Sequence, residues 1–458
     1  MNFINESSIQ ALIDHETEPS PQELDQILSR ALELKRLPLL DVAKLLKVTK
    51  PESLKKIYAT ANQVKNLIYG NRIVFFAPLY ISNYCLNNCT YCAFRVDNNL
   101  ARKALSYPEI ENETASLLKD GHKRILLVSG EAYPEPEGLD YILKAIDTVY
   151  AARFGRHNIR RVNVNIAPLD EPDFKKLIDH QIGTYQLFQE TYHSKTYAEV
   201  HPSGQKADYE YRLTGMDRAF KAGIDDVGIG VLFGLYDYQF EVLALLSHIE
   251  HLETTFGLGP HTISIPRLEP AAGTNLPEKS PYKVSDADFK KLVAILRLAV
   301  PYTGIILSTR ENAEQRRELL SLGVSQISAG SRTNPGGYQD NDNSLEQFSL
   351  GDHRSLDDVM YDLLSMGFTP SFCTACYRSG RTGLDFMEFA KPGQIKKKCE
   401  PNAIITLKEY LVDFASDKVR NLGNELIKSS VQAAPENMRN FILKSLADID
   451  QGKRDIFT

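Results

Sequence analysis

Three thiols crowd into Cys85-Leu-Asn-Asn-Cys89-Thr-Tyr-Cys92, just after a β-like run from Ile73 to Ser82. Thiolate is a soft ligand, and three at this spacing can grip three irons of a cuboidal iron–sulfur cluster. The fourth iron then stays open to a small molecule, whereas a purely electron-carrying cube takes four cysteines. A zinc site would want a fourth Cys or a His at ordinary spacing, and only the more distant His122 follows. Structural thiols are the third reading. A second set, Cys373-x2-Cys376 with Cys399, again offers three ligands and no obvious fourth. On spacing alone, a second iron–sulfur cluster or a structural zinc would satisfy it. All six cysteines of the chain belong to these two sets, which in a reducing compartment argues for metal sites over disulfides.

Other candidate residues gather at the ends of β-like runs. Gly130-Glu131 closes one: the glycine permits close backbone approach, and the carboxylate can accept from an ammonium group; a turn with a solvated Glu is the plainer reading. Glu190 ends another run, and Arg212 and Arg218 follow in a helical turn region. Either arginine could pair with a carboxylate, leaving Glu190 for ammonium or ribose hydroxyls; surface salt bridges would explain the arginines almost as well. Gly228-Ile-Gly230 lacks the GxGxxG helix start of a nucleotide fingerprint and reads as room for an adenine against bare backbone. His261 is a competent iron ligand, or an ordinary satisfied polar residue. Arg310 and Arg267 each offer a guanidinium fork suited to an amino acid carboxylate, with a salt bridge at the rim as the alternative.

These residues need a scaffold that brings strand ends together. Short β-branched runs alternate with helical ones at Ile73–Ser82, Ile125–Ser129, Arg161–Ile166, Gly183–Phe188, Asp226–Val231, Thr262–Pro266, Gly304–Ser308 and Val324–Ala329. Eight strands separated by helices predict an α/β fold, a closed (β/α)8 TIM-type barrel; a doubly wound sheet is the alternative. The barrel is favoured because Cys85, Glu131, Glu190, Arg267, Arg310 and Ser331 all follow strand ends, the face where barrels collect their chemistry. Amphipathic periodicity marks outer helices at Leu139–Tyr150 and Asp286–Leu298.

The organisation expected is a helical N-terminal extension over 1–70, the barrel over 71–336 and a mainly helical C-terminal domain over 337–458 that carries the second thiol set. A polar, turn-forming stretch from Gly336 to Asn343 separates the last two. The run Lys396-Lys-Lys reads as solvated surface. With 458 residues, 43% hydrophobic and 24% charged, the composition is that of a globular protein, and a net charge of -6 argues against nucleic acid as a general partner. No run is long and apolar enough to span a bilayer, and the start lacks the layout of a signal peptide, so a cytoplasmic setting is expected.

The CxxxCxxC spacing with Tyr91 before the third cysteine resembles the signature of radical S-adenosylmethionine enzymes, whose open iron is chelated by the cofactor's amino and carboxylate groups. Along nearly its whole length the chain resembles the tyrosine lyases that mature the active site of FeFe-hydrogenase. The selective marks are Gly257-Leu-Gly-Pro-His261-Thr-Ile-Ser-Ile-Pro-Arg267, Leu307-Ser-Thr-Arg310-Glu311, and Cys373-Thr-Ala-Cys376-Tyr-Arg-Ser-Gly-Arg-Thr-Gly with Cys399. The resemblance implies a 4Fe-4S cluster on Cys85, Cys89 and Cys92 that cleaves S-adenosylmethionine, with Tyr91, Gly130, Glu131, Glu190, Arg212 and Arg218 around the cofactor. The resulting radical would break L-tyrosine into p-cresol and dehydroglycine. An auxiliary iron–sulfur cluster on Cys373, Cys376 and Cys399, with a labile iron on His261 and L-cysteine as a further ligand, would collect carbon monoxide and cyanide. Arg310, or else Arg267, would take the tyrosine carboxylate. The implied partners are a reductant such as ferredoxin or flavodoxin and the hydrogenase maturation proteins, in an anaerobic cytoplasm. A thiamine-pathway tyrosine lyase that stops at dehydroglycine shares the barrel but is not expected to carry the second thiol set, and a non-enzymatic iron–sulfur carrier is the remaining alternative.

Overall fold

The computed structural model describes residues 3–340 and 344–458, so the end of the polar loop read after Gly336 lies outside the described residues. Eight parallel strands form its centre: β1 (Arg72–Ser82), β2 (Arg124–Ser129), β3 (Arg161–Asn165), β4 (Tyr185–Glu190), β5 (Val227–Val231), β6 (Thr262–Ser264), β7 (Gly304–Leu307) and β8 (Gln326–Ser328). Each pairs with its successor, and β1 also pairs with β8, so the sheet closes into the expected TIM-type barrel. The near-continuous apolar runs follow from burial on both faces, one toward the lumen and one toward the surrounding helices.

Along β1 this division is residue by residue. Ile73, Phe75, Ala77, Leu79 and Ile81 belong to the core shared with the outer helices. Val74, Phe76, Pro78 and Tyr80 face cavities inside the barrel, Val74 near one end and the other three near the opposite end. A period of two along one strand thus lines the lumen from bottom to top.

A ninth strand, β9 (Thr369–Ser371), pairs in parallel with Arg72–Val74 at the start of β1. It was not anticipated from sequence: three residues with a central proline carry almost no strand signal, and proline is tolerated here because the strand lies at an edge. β9 places the chain directly ahead of Cys373 beneath the barrel floor. The helix Lys396–Asp413 packs against β9 and β1, and Asp417–Ala433 and Glu436–Asp450 pack on that helix. On the side of the barrel, the helix Pro51–Ile68 lies against Asp286–Ala299, and Leu39–Leu46 against Tyr238–Phe256. No helix among the described residues is long and apolar enough to cross a membrane.

The end of β4 is held by a buried acid. Glu241, on the helix Tyr238–Phe256, accepts from the Thr191 hydroxyl and, at 2.9 Å, from the Tyr192 backbone N–H. Burial outweighs these donors and raises its carboxyl from 4.5 to about 8. A carboxyl raised on folding leaves stability intact below pH 4.5 and erodes it as pH climbs toward about 8. Glu241→Gln abolishes this titration, so its thermal midpoint relative to the parent should rise between about pH 5 and about pH 8 in a pH series of melting curves. A constant offset over that range would refute the assignment.

Candidate active site at the two ends of the lumen

The loop leaving β1 carries the first thiol set over the C-terminal rim of the barrel. Its seat is the end of β2, where Gly130 N–H donates to Ser82 O at 2.9 Å. A Cβ on Gly130 would stand 2.2 Å from the Tyr84 carbonyl oxygen, so only glycine lets β2 end beneath the cysteine loop. Arg102 ties the loop from the far side, donating to the carbonyls of Asn83 at 2.9 Å, Phe94 at 2.8 Å and Arg95 at 2.6 Å. Asn87, between the first two cysteines, donates to Glu131 at 2.6 Å and accepts from Lys206 N–H at 2.9 Å.

Cys85, Cys89, Cys92, Tyr91, Gly130, Glu131, Glu190, Arg212 and Arg310 line one cavity of about 180 Å³. Within it lies a buried set of two acids and two bases. Arg212 Nη1 stands 2.9 Å from Glu131 Oε1, and Lys206 Nζ 2.7 Å from Glu190 Oε1. Burial pushes the Glu131 carboxyl up, but Arg212 and then Lys206 outweigh it and hold it below the ordinary carboxylate range. Glu190 is held with φ 72°, at the register irregularity between β4 and β5, a left-handed conformation costing a non-glycine residue roughly 1–3 kcal/mol. Lys206 and Asn87 were missed in the sequence. Asn87 could have been suspected from its place among the ligands, but nothing in the spacing of the loop around Lys206 announces it.

Arg310 differs from the other arginines. Its guanidinium stacks 3.3 Å from the Phe348 ring centroid and reaches Arg267 O at 3.4 Å, and it makes no ion pair among the described residues. Burial lowers its affinity for the proton, and no acid among the described residues stands at ion-pair distance to offset this. Arg267 is committed elsewhere, to Glu311 and, at 2.8 Å, to Asp286. Arg218 caps the Leu169 and Tyr211 carbonyls at 2.9 and 2.7 Å and stacks on Tyr211. Neither Arg218 nor Arg267 lines the cavity, and Ser331 does not either. The room for adenine expected at Gly228 and Gly230 is taken up by neighbouring strands: a Cβ there would meet Thr262 Oγ1 at 2.4 Å and the Phe188 ring at 2.8 Å.

The second thiol set assembles at the opposite end. Cys373, Cys376, Cys399 and His261 line a single smaller cavity with Arg72, Arg124 and Tyr377. β9 delivers Cys373, a short helix Ala375–Arg378 carries Cys376, and the first turn of Lys396–Asp413 carries Cys399. His261 precedes β6, its Nδ1 3.4 Å from Asp226. Arg124 Nη2 donates to Cys373 O at 3.1 Å. The hydrogen bond shared with Cys399, aided against burial by Arg381, lowers the Cys376 thiol below its ordinary value.

Both sets suit thiolate-bound iron–sulfur clusters. Burial pushes the upper thiols up, Cys92 to about 11, so thiolates there need compensating positive charge, which cluster iron supplies. N–H donors already aim at the sulfurs: the backbone of Asn87 and Glu131 at Cys85, Gln347 at Cys92 at 3.5 Å, and Ala375 N–H at Cys373 at 3.4 Å. Such donors tune cluster potentials.

If Gly130 seats the cysteine loop, Gly130→Ala should lower both the thermal midpoint, at a cost of about 1–3 kcal/mol, and the iron retained per chain after anaerobic reconstitution. Parent-like values for both would show that the loop does not depend on this contact.

Residues 79–247 match the radical SAM superfamily, and 264–369 the biotin and thiamin synthesis associated domain. The 2-iminoacetate synthase of Escherichia coli is 32% identical over 342 residues, spanning 74% of this chain and 88% of that protein. A crystal structure of HydG, a maturase of the [FeFe]-hydrogenase, superposes with a TM-score of 0.97 at 47% identity, covering 100% of both chains. HydG from Carboxydothermus hydrogenoformans gives 0.84 at 42%, covering 97% of this chain and 98% of that one. With a barrel that opens on a CxxxCxxC loop and a likeness that runs from end to end, the chain belongs to the HydG family of [FeFe]-hydrogenase maturases, within the radical SAM enzymes.

Proposed function

We propose that this maturase is a carbon–carbon lyase acting on L-tyrosine, giving p-cresol and dehydroglycine in the upper cavity and carbon monoxide and cyanide at the lower one. The observation that carries the reading is Arg310: a half-buried guanidinium without an ion pair among the described residues, inside the cavity that holds the first thiol set. Its fork fits the carboxylate of an amino acid bidentately, and Phe348 beneath it fixes the plane of that fork.

Cys85, Cys89 and Cys92 would hold the 4Fe-4S cluster, which when bound supplies the electron that cleaves S-adenosylmethionine to methionine and a 5'-deoxyadenosyl radical. Glu131 and Glu190, paired with Arg212 and Lys206, would face the cofactor's ammonium and ribose, and Tyr91, fixed by His201 at 2.8 Å, would pack beside it. The closed wall of β-strands around the lumen would shield a primary radical from water. Cys373, Cys376 and Cys399, with His261 and a free L-cysteine as further ligands to a labile iron, would hold the auxiliary cluster that takes up the diatomic products. On this reading 1–70 supports the barrel, 71–336 houses the radical chemistry and 337–458 completes the auxiliary site. Electrons would come from a ferredoxin or flavodoxin in an anaerobic cytoplasm, and the product would pass to other hydrogenase maturation proteins.

A lyase that stops at dehydroglycine would have no use for three thiols and a histidine gathered around one cavity at the barrel floor; that grouping favours the longer reaction. Two variants separate the steps. Arg310→Gln should lower kcat/KM for tyrosine by roughly tenfold to a hundredfold, as expected for losing a hydrogen bond to a charged group, with S-adenosylmethionine affinity unchanged. p-Cresol formation at parent-like KM would remove Arg310 from the substrate site. Cys376→Ala should keep p-cresol formation while carbon monoxide and cyanide are no longer delivered as an iron complex, followed by infrared spectroscopy; delivery at the parent level would overturn the role given to the lower thiols.

A further inference from the structure

A third cavity, of about 630 Å³, opens beneath the starts of β3, β4 and β5 and is separated from the lower thiol site by the ring of Tyr377, which lines both. Its charges are mostly spoken for. Arg160 pairs with Glu409 at 2.7 Å and Asp455 at 3.0 Å, and Arg378 pairs with Asp455 as well. Arg161 is the exception: only 9% exposed, its side chain makes no hydrogen bond or ion pair among the described residues, and its guanidinium carbon sits over the Tyr377 ring, 3.5 Å from the centroid. Asp226, next to the cavity in sequence, stands 3.4 Å from His261 Nδ1 and acts on Arg161 through space without reaching ion-pair distance. A buried, unpaired guanidinium is costly unless an anion completes it.

Asp225 lines the same cavity. Its carboxylate accepts from the Thr382 hydroxyl at 2.8 Å and has no ion pair among the described residues. Ile178, 40% exposed, joins Ile182 and Ile224 as an apolar part of the lining. One unpaired cation, one unpaired anion and an aliphatic patch in a cavity of ligand size are complementary to a zwitterion with an apolar side chain.

We propose that this cavity binds a free aliphatic α-amino acid, its carboxylate on Arg161, its ammonium facing Asp225 and its side chain against Ile178, Ile182 and Ile224. The site is distinct from both thiol-lined cavities and does not depend on the reaction assigned to them. Tyr377 would carry its occupancy to the lower thiol site, since the ring centroids of Tyr377 and His261 are 5.9 Å apart.

The test is calorimetric titration of L-leucine into the full-length, reconstituted protein without reductant. An Arg310→Gln background removes the carboxylate anchor of the upper cavity. Binding in the millimolar range or tighter is expected, weakened at least tenfold by Arg161→Gln and by Asp225→Asn. 4-Methylpentanoate, which lacks the ammonium group, should respond to Arg161→Gln and ignore Asp225→Asn. Thermal midpoints and the electron paramagnetic resonance of the clusters identify variants that fold as the parent; should Arg161→Gln fail there, Asp225→Asn with the two ligands decides. Absence of leucine binding at about 1 mM, leucine binding indifferent to both substitutions, or binding of inorganic phosphate in place of leucine would each overturn the proposal.

Discussion

The pairing of β1 is the constraint on which the rest of the molecule depends. Its upper half runs beside β2, its lower half beside β8, and its first residues beside β9. The same strand therefore closes the barrel, launches the first thiol loop from its end and seats the second thiol set at its beginning. Because side chains alternate along it, Val74 reaches the lower cavity while Phe76, Pro78 and Tyr80 reach the upper one, and a single strand spans the distance between the two thiol-lined cavities. A slip of one residue would exchange these lumenal side chains with Phe75, Ala77 and Leu79 of the outer core, so the register is fixed by burial on both sides.

Charge inside the lumen is handled in two ways. In the upper cavity Glu131 and Glu190 each have a cation beside them, and Asn87 satisfies a further carboxylate oxygen, so the set is nearly self-sufficient in a medium of low dielectric. Such a set is rigid, and its geometry rather than its energy is its value to a bound cofactor. Arg310 is left out of this balance, as is Arg161 below: neither has an acid at ion-pair distance among the described residues, which is why the two proposed binding sites rest on them rather than on the paired cations. Arg267 and Arg218 show the opposite case: both have the residue type expected of an anion site, and both are used up holding acids or carbonyls of the fold.

At the floor of the barrel the same logic acts on sulfur. Arg72 and Arg124 reach the cavity wall beside three thiols, of which Cys399 is buried, so positive charge is in place where thiolates would have to form. Tyr377 stands between these arginines and Arg161, its hydroxyl 3.2 Å from Thr184 Oγ1. The ring is at once a wall of the thiol site and the platform on which an unpaired guanidinium rests, so it borders both cavities.

The barrel, its strand count and the two thiol triads were legible in the sequence because each rests on local information. Apolar runs of strand length recur between amphipathic helices, and ligand spacing within Cys85–Cys92 is set by a few residues of backbone. The chain's likeness to the maturase family was legible for the same reason, through motifs such as the one around Cys373 and Cys376. What local pattern could not decide is which of several similar side chains points where. Arg212, Arg218, Arg267 and Arg310 carry identical chemistry, and only the packing of distant segments commits the first to Glu131, the second to backbone carbonyls and the third to Glu311, leaving the fourth without an acid. The same holds for Lys206, for the proline-bearing β9, and for the meeting of His261 with three cysteines more than a hundred residues away. These depend on contacts between parts of the chain that share no periodicity, and burial makes each choice decisive because an unpaired charge inside a protein cannot fall back on water.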